Sequence, residues 1–209
     1  MPIALHQFTA LGAAAQPGYL AAKELAAQCV DQFTLNVLMG PGGGIANQSC
    51  WAAVAVTPGA GFPAPVAVNP AGFPGTNAAA WGALPYSMVF GNSRMAMVNA
   101  LVTVPGFGGG GHAERTALIA AGGAGLALYP LAGLVNAAVL FVQLSPCIAC
   151  GNWLVGGGGG VANPYAVALG GAWTLHVWYR WPHPAGVGAM IAWNATGRAA
   201  KLADIGANW

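Results

Sequence analysis

Two stretches decide how this chain is read: His112-Ala113-Glu114-Arg115-Thr116-Ala117-Leu118 and Ser145-Pro146-Cys147-Ile148-Ala149-Cys150. The first offers an imidazole with a carboxylate two residues on. The second offers two thiols three residues apart, behind a proline. Residues at i and i+3 share one face of a helix, so Cys147 and Cys150 can reach a common point. At the start of a helix, unpaired backbone N–H groups favour the thiolate forms. His112 follows a glycine-rich run and opens a second expected helix, so both halves sit at helix starts. Zinc takes four positions, and three protein donors leave the fourth for water, as in catalytic sites. A bare C-x-x-C is a weak signal. H-x-E followed by P-C-x-x-C, with a strand between them, is a strong one.

Outward from these halves, Ala138 to Leu144 reads as a strand covered on both faces, because it carries no charge. Pro146 is expected to open the following helix, since proline suits the first helical position. Gly156 to Gly160 ends that helix. The helix after His112 runs to about Ala121. Upstream, Gly18 to Leu38 has apolar residues near helical spacing, Ser49 to Thr57 is a strand, and Met95 to Val104 is another. Pro58 to Pro85 is a long loop region rich in Pro, Gly and Ala. Downstream, Trp173 to Trp181 alternates as a strand, and Thr196 to Ile205 is a weak last helix. Residues 1–17 read as a flexible extension of a single domain spanning 1–209. The class is α/β: helices flank a mixed sheet of five strands, the fifth being the hardest to place.

Composition narrows the function. Of 209 residues only ten are charged, six basic and four acidic, and 56% are hydrophobic. A net charge of +2 gives no electrostatic grip on a polynucleotide, so nucleic-acid binding must use stacking and local placement of Arg and Lys. The four acids are Glu24, Asp31, Glu114 and Asp204, which makes an acid two residues from a histidine informative. No Asp, Glu, Lys or Arg occurs between Thr116 and Tyr179, yet the apolar run Ala117 to Leu144 is broken by glycines, Pro130, Asn136 and Gln143. A membrane span is therefore not expected. The beginning of the chain also lacks the basic and apolar regions of a signal peptide. Cys29 and Cys50 read as ordinary buried thiols.

These motifs resemble those of the zinc-dependent nucleobase deaminases of the cytidine deaminase-like superfamily. The histidine ligand and Ser145-Pro146-Cys147 are most similar to the DNA cytosine deaminases of bacterial polymorphic toxins, over roughly residues 95 to 160. The resemblance implies the three-layer deaminase fold, Zn2+ held by His112, Cys147 and Cys150, and Glu114 as the proton carrier. It also implies hydrolysis of cytosine to uracil in single- or double-stranded DNA, by a monomer. As a toxin domain the protein would be delivered into a target cell and blocked by an immunity protein. By the same resemblance, Tyr179, Arg180 and Trp181 are candidates for reading flanking bases by stacking and phosphate contact. Ser145, Asn99 and Asn69 are further candidates for holding the base. The extreme Gly and Ala content departs from typical members.

Three rivals stay open. Free cytidine or nucleotide deaminases share the His112 to Leu118 pattern but often carry cysteine at the histidine position. Adenosine deaminases acting on RNA also use H-A-E. A closed, structural zinc knuckle would need a fourth protein ligand, for which His176, expected inside a strand, and His183, in a loop, are the spare histidines.

Overall fold

Alternation of side chains along two buried strands organises the molecule. The computed structural model of the chain describes residues 1–26, 29, 50–57, 86–92, 112–158, 160–185 and 189. Strand β2 is Trp51–Val56 and strand β4 is Ala137–Leu144. Both are buried along their whole length. β2 sends Ala52, Val54 and Val56 to one face of the sheet and Trp51, Ala53 and Ala55 to the other. β4 does the same with Ala138, Leu140 and Val142 against Ala137, Val139 and Phe141.

The remaining strands are β1 (Ile3–Gln7), β3 (Ser87–Asn92) and β5 (Thr174–Trp181). The sheet order is β1-β5-β4-β2-β3. β1, β5 and β4 are parallel, and β2 pairs antiparallel with both β4 and β3. Helix α1, residues 19–26, covers the face bearing Trp51, Phe141 and Trp178 with Ala22, Leu25 and Ala26. Helices α2 (Ala113–Gly123), α3 (Ile148–Leu154) and α4 (Pro164–Leu169) share the core of the other face. The expected α/β architecture, a mixed five-stranded sheet flanked by helices, is what the chain forms.

Several polar groups in this apolar interior are matched. Gln143, the one polar residue of β4, accepts the Trp51 backbone N–H at 3.0 Å through Oε1. Asn163 caps α4 by accepting the Tyr165 N–H at 3.1 Å, and its amide donates to the Leu154 carbonyl at 2.9 Å. One side chain thus joins the end of α3 to the start of α4. Tyr86, at the entry to β3, donates its hydroxyl to Glu24 of α1.

The structure corrects the sequence reading in several places. Residues 3–7, expected within a flexible extension, form the parallel edge strand β1, with Ile3 to Gln7 in register with Leu175 to Tyr179. β1 brings the sheet to five described strands. β3 lies at 87–92, a stretch given no element, while the expected strand Met95 to Val104 falls outside the described residues. Helix α4 was also missed, although Asn163-Pro164 is a cap followed by a proline at the helix start. Pro146 does not open α3. Cys147 is the N-cap, because its sulfur takes the Cys150 N–H, and Ile148 is the first helical residue. The expected helix Thr196 to Ile205 and the long loop Pro58 to Pro85 lie outside the described residues. Among the described residues, no helix is long and apolar enough to cross a membrane.

One glycine seats the helix that carries half of the motif. A Cβ placed on Gly91 of β3 would strike the Ala113 carbonyl oxygen and come within 2.5 Å of the Ala117 nitrogen. Backbone meets backbone there, so no side chain can move aside. Gly91→Ala is expected to cost about 1–3 kcal/mol by overpacking. A denaturant titration that finds the variant as stable as the parent contradicts this close seating.

Candidate metal centre

The centre forms where the carboxyl ends of β4 and β5 meet two helix starts, the edge at which open α/β sheets commonly bind ligands. His112 is the N-cap of α2, with φ −137° and ψ 114°. Its carbonyl accepts the Thr116 N–H at 3.1 Å and the Thr116 hydroxyl at 3.0 Å. Its ring makes no capping bond and is left available. Cys147 and Cys150 stand at the cap and first turn of α3. Because α2, α3 and their shared core lie on one face of the sheet, the two starts converge.

The three donor atoms lie within 4.8 Å of one another. Cys150 Sγ is 2.9 Å from His112 Nδ1, Cys147 Sγ is 3.9 Å from the same nitrogen, and the sulfurs are 3.3 Å apart. A tetrahedral zinc ion with ordinary bond lengths needs about 3.8 Å between sulfurs and about 3.6 Å between sulfur and nitrogen. The present spacing reaches that by changes of about 0.3–0.7 Å in the three separations. Glu114 is 6% exposed, and its carboxylate lies close enough to the Cys150 thiol for its charge to act on it. Burial pushes the Cys150 thiol well up, and the charges of Glu114 and Cys147 push it further. A buried carboxylate beside two thiols is a donor set that a divalent cation neutralises: the cation deprotonates the thiols and offsets their repulsion. The residues present therefore fit a zinc ion.

The spare histidines do not complete a closed site. His176 lies on the α1 face of the sheet, since Leu175 and Val177 pack on the opposite one. Its Nδ1 is 2.9 Å from His6 Nε2. The ring centroids are 5.2 Å apart and the planes differ by 16°, so the rings meet edge to edge in one hydrogen bond. His183 donates from Nδ1 to the Pro184 carbonyl at 2.9 Å. Among the described residues, the group of metal donors is His112, Cys147 and Cys150.

Two turns meet beside this centre. The Ser145 N–H donates to the Trp181 carbonyl at 2.8 Å, and the Ser145 hydroxyl accepts the His183 N–H at 2.8 Å. Ser145 is thus a tie between the loop carrying Cys147 and the end of β5. Tyr179 packs against the core of the α2 face, and alternation places Trp181 on that side and Arg180 on the other. The three residues expected to act together are therefore split between faces. Asn69 and Asn99 lie outside the described residues.

Arg115 is a contribution that the sequence did not reveal. Its Nη2 donates to the Ala149 carbonyl at 2.7 Å, and its guanidinium lies 5.5 Å from the centroid of the Trp153 ring. The Trp153 indole in turn donates to the Val161 carbonyl at 2.6 Å. Arg115 therefore clamps the first turn of α3 to the first turn of α2 and fixes the separation of the ligands. Its position beside Glu114 was the available signal, but its target lies 34 residues away. Arg115→Lys keeps the charge and loses the planar contact. A drop in metal affinity of about 10-fold is expected, in the range for outer-shell partners. A chelator competition giving unchanged affinity would remove Arg115 from this role.

Family models, curated proteins and solved structures were all compared with the chain. None matches. The functional reading rests on the site itself.

Proposed function

We propose that the protein is a zinc-dependent deaminase that converts cytosine to uracil in DNA, of the bacterial toxin type. One observation carries the reading: Glu114 is buried beside Cys150, at a three-donor centre with no fourth protein ligand among the described residues. A purely structural zinc site uses four protein ligands and needs no buried acid beside them.

Zinc, when bound by His112, Cys147 and Cys150, supplies the Lewis acidity that makes water a nucleophile near neutral pH. Glu114 then carries the protons. It takes one from the water that attacks the carbon bearing the exocyclic amine. It passes that proton to the ring nitrogen, then takes the second from the newly added hydroxyl and gives it to the departing ammonia. Burial strengthens these transfers by excluding bulk water from the carboxylate. Arg115 holds the two ligand-bearing helix starts at a constant separation.

DNA is preferred over a free nucleoside because of what borders the centre. Ser145 ties the cysteine loop to Trp181 and His183, and Tyr179 shares that side of the sheet. Aromatic groups beside a deaminase site suit an unstacked base and its neighbours. With so few charges, binding must rely on stacking and shape more than on phosphate contacts. An immunity protein that covers this edge of the sheet belongs to the same reading.

The test compares uracil formed in a cytosine-containing oligonucleotide with turnover of cytidine at equal concentration. Faster conversion of the oligonucleotide is expected. Equal or faster turnover of cytidine contradicts the DNA assignment, and inosine in treated RNA would move the substrate to adenosine.

A further inference from the structure

The two sulfurs of the centre are accessible to different degrees. Cys147 is partly exposed, whereas Cys150 is fully buried, and their Sγ atoms are 3.3 Å apart. The Cys147 sulfur also accepts the Cys150 backbone N–H at 3.4 Å, which stabilises negative charge on the outer sulfur. A disulfide needs about 2.05 Å between sulfurs. Closing that gap takes roughly 1.2 Å of movement, within reach of side-chain rotation at a helix start.

We propose that Cys147 and Cys150 form a peroxide-sensitive switch that releases the metal. The inference rests on the zinc reading of this centre and not on the identity of the substrate. Hydrogen peroxide is the oxidant. The Cys147 sulfur attacks one peroxide oxygen, breaking the O–O bond, and becomes a sulfenic acid while hydroxide departs and is protonated to water. The Cys150 sulfur, shielded from solvent but adjacent, then attacks the Cys147 sulfur. The S–S bond forms and the hydroxyl leaves as a second water. Two thiols have lost two electrons, and one peroxide has become two waters. The disulfide removes two of the three metal donors at once, and His112 alone does not retain the ion. Reduction by a dithiol restores both thiols and the site.

Cys29 and Cys50 are the competing thiols. Cys29 is 1% exposed, and its thiol is pushed well up by burial and by the neighbouring Cys50. Cys50 is half-buried, so both are removed in the test. The full chain carrying Cys29→Ser and Cys50→Ser is loaded with zinc, freed of excess metal and titrated with hydrogen peroxide. Zinc release is followed with a chromogenic chelator, and the peptide containing Cys147 and Cys150 is weighed.

The expected result is loss of one zinc in step with a mass decrease of about 2 Da, the two thiol hydrogens. Dithiothreitol and added zinc should reverse both. Zinc retained after oxidation, or Cys147 gaining oxygen atoms without a disulfide, overturns the switch. A protein that takes up no zinc before peroxide but still forms the disulfide overturns the metal reading itself, and the switch with it. If the double variant does not fold, the parent chain is used and the disulfide is located by peptide mapping, with the same outcomes.

Discussion

Glu114→Gln is expected to slow deamination by about 10²- to 10⁴-fold, the usual contribution of general acid–base catalysis, while one metal ion stays bound. Glutamine matches glutamate in shape and fits the same buried position. It cannot take a proton from water at neutral pH. Because Glu114 is buried, bulk solvent does not replace it as a proton carrier. Turnover and metal content must be measured on the same preparation. Full activity in the variant removes Glu114 from the chemistry. Loss of the metal makes Glu114 a ligand and leaves the proton carrier unassigned.

Cys150→Ser is expected to lose the metal and the activity together, and to lose stability as well. Cys150 is fully buried and contacts His112, Cys147 and Glu114. A serine there is a poor zinc ligand. An ion bound at a thousand times its dissociation constant stabilises the native state by about 4 kcal/mol. For a chain of this size each kcal/mol is worth roughly 2–4 °C, so the melting temperature should fall by roughly 8–16 °C. Chelator treatment of the parent should give most of the same fall, and chelator should not change the variant further. A parent protein whose melting temperature ignores both zinc and chelator contradicts a metal centre coupled to folding.

How far the sequence reaches can be seen residue by residue. The central strands β2 and β4 were legible because they are apolar almost throughout, and β5 because its residues alternate. The helix start at His112 was legible, and that of α3 to within two residues, because the ligand spacing and Pro146 pointed to them. The convergence of His112, Cys147 and Cys150 then followed from packing both helices on one face of the sheet. Edge strand β1 was not legible: Ile3–Gln7 is half-exposed, contains His6 and Gln7, and is defined by its pairing with β5 and not by its own pattern. Helix α4 was masked by the glycine tract before it. The Arg115 clamp and the Ser145 tie are tertiary contacts, spanning 34 and 38 residues, and no local pattern encodes them. Alternation separated Arg180 from Tyr179 and Trp181, a consequence that could have been drawn as soon as β5 was recognised as a strand through Trp181.

The pattern of function is similar. Charge scarcity made Glu114 conspicuous, and the structure buries it beside Cys150.

The most direct test of the account is sequencing of matched single- and double-stranded DNA after incubation with the zinc-loaded protein and with its Glu114→Gln variant. The account predicts C-to-T changes with the parent protein, none above background with the variant, and none with the parent after its metal is removed. Unchanged DNA with a protein shown to hold one zinc would contradict it.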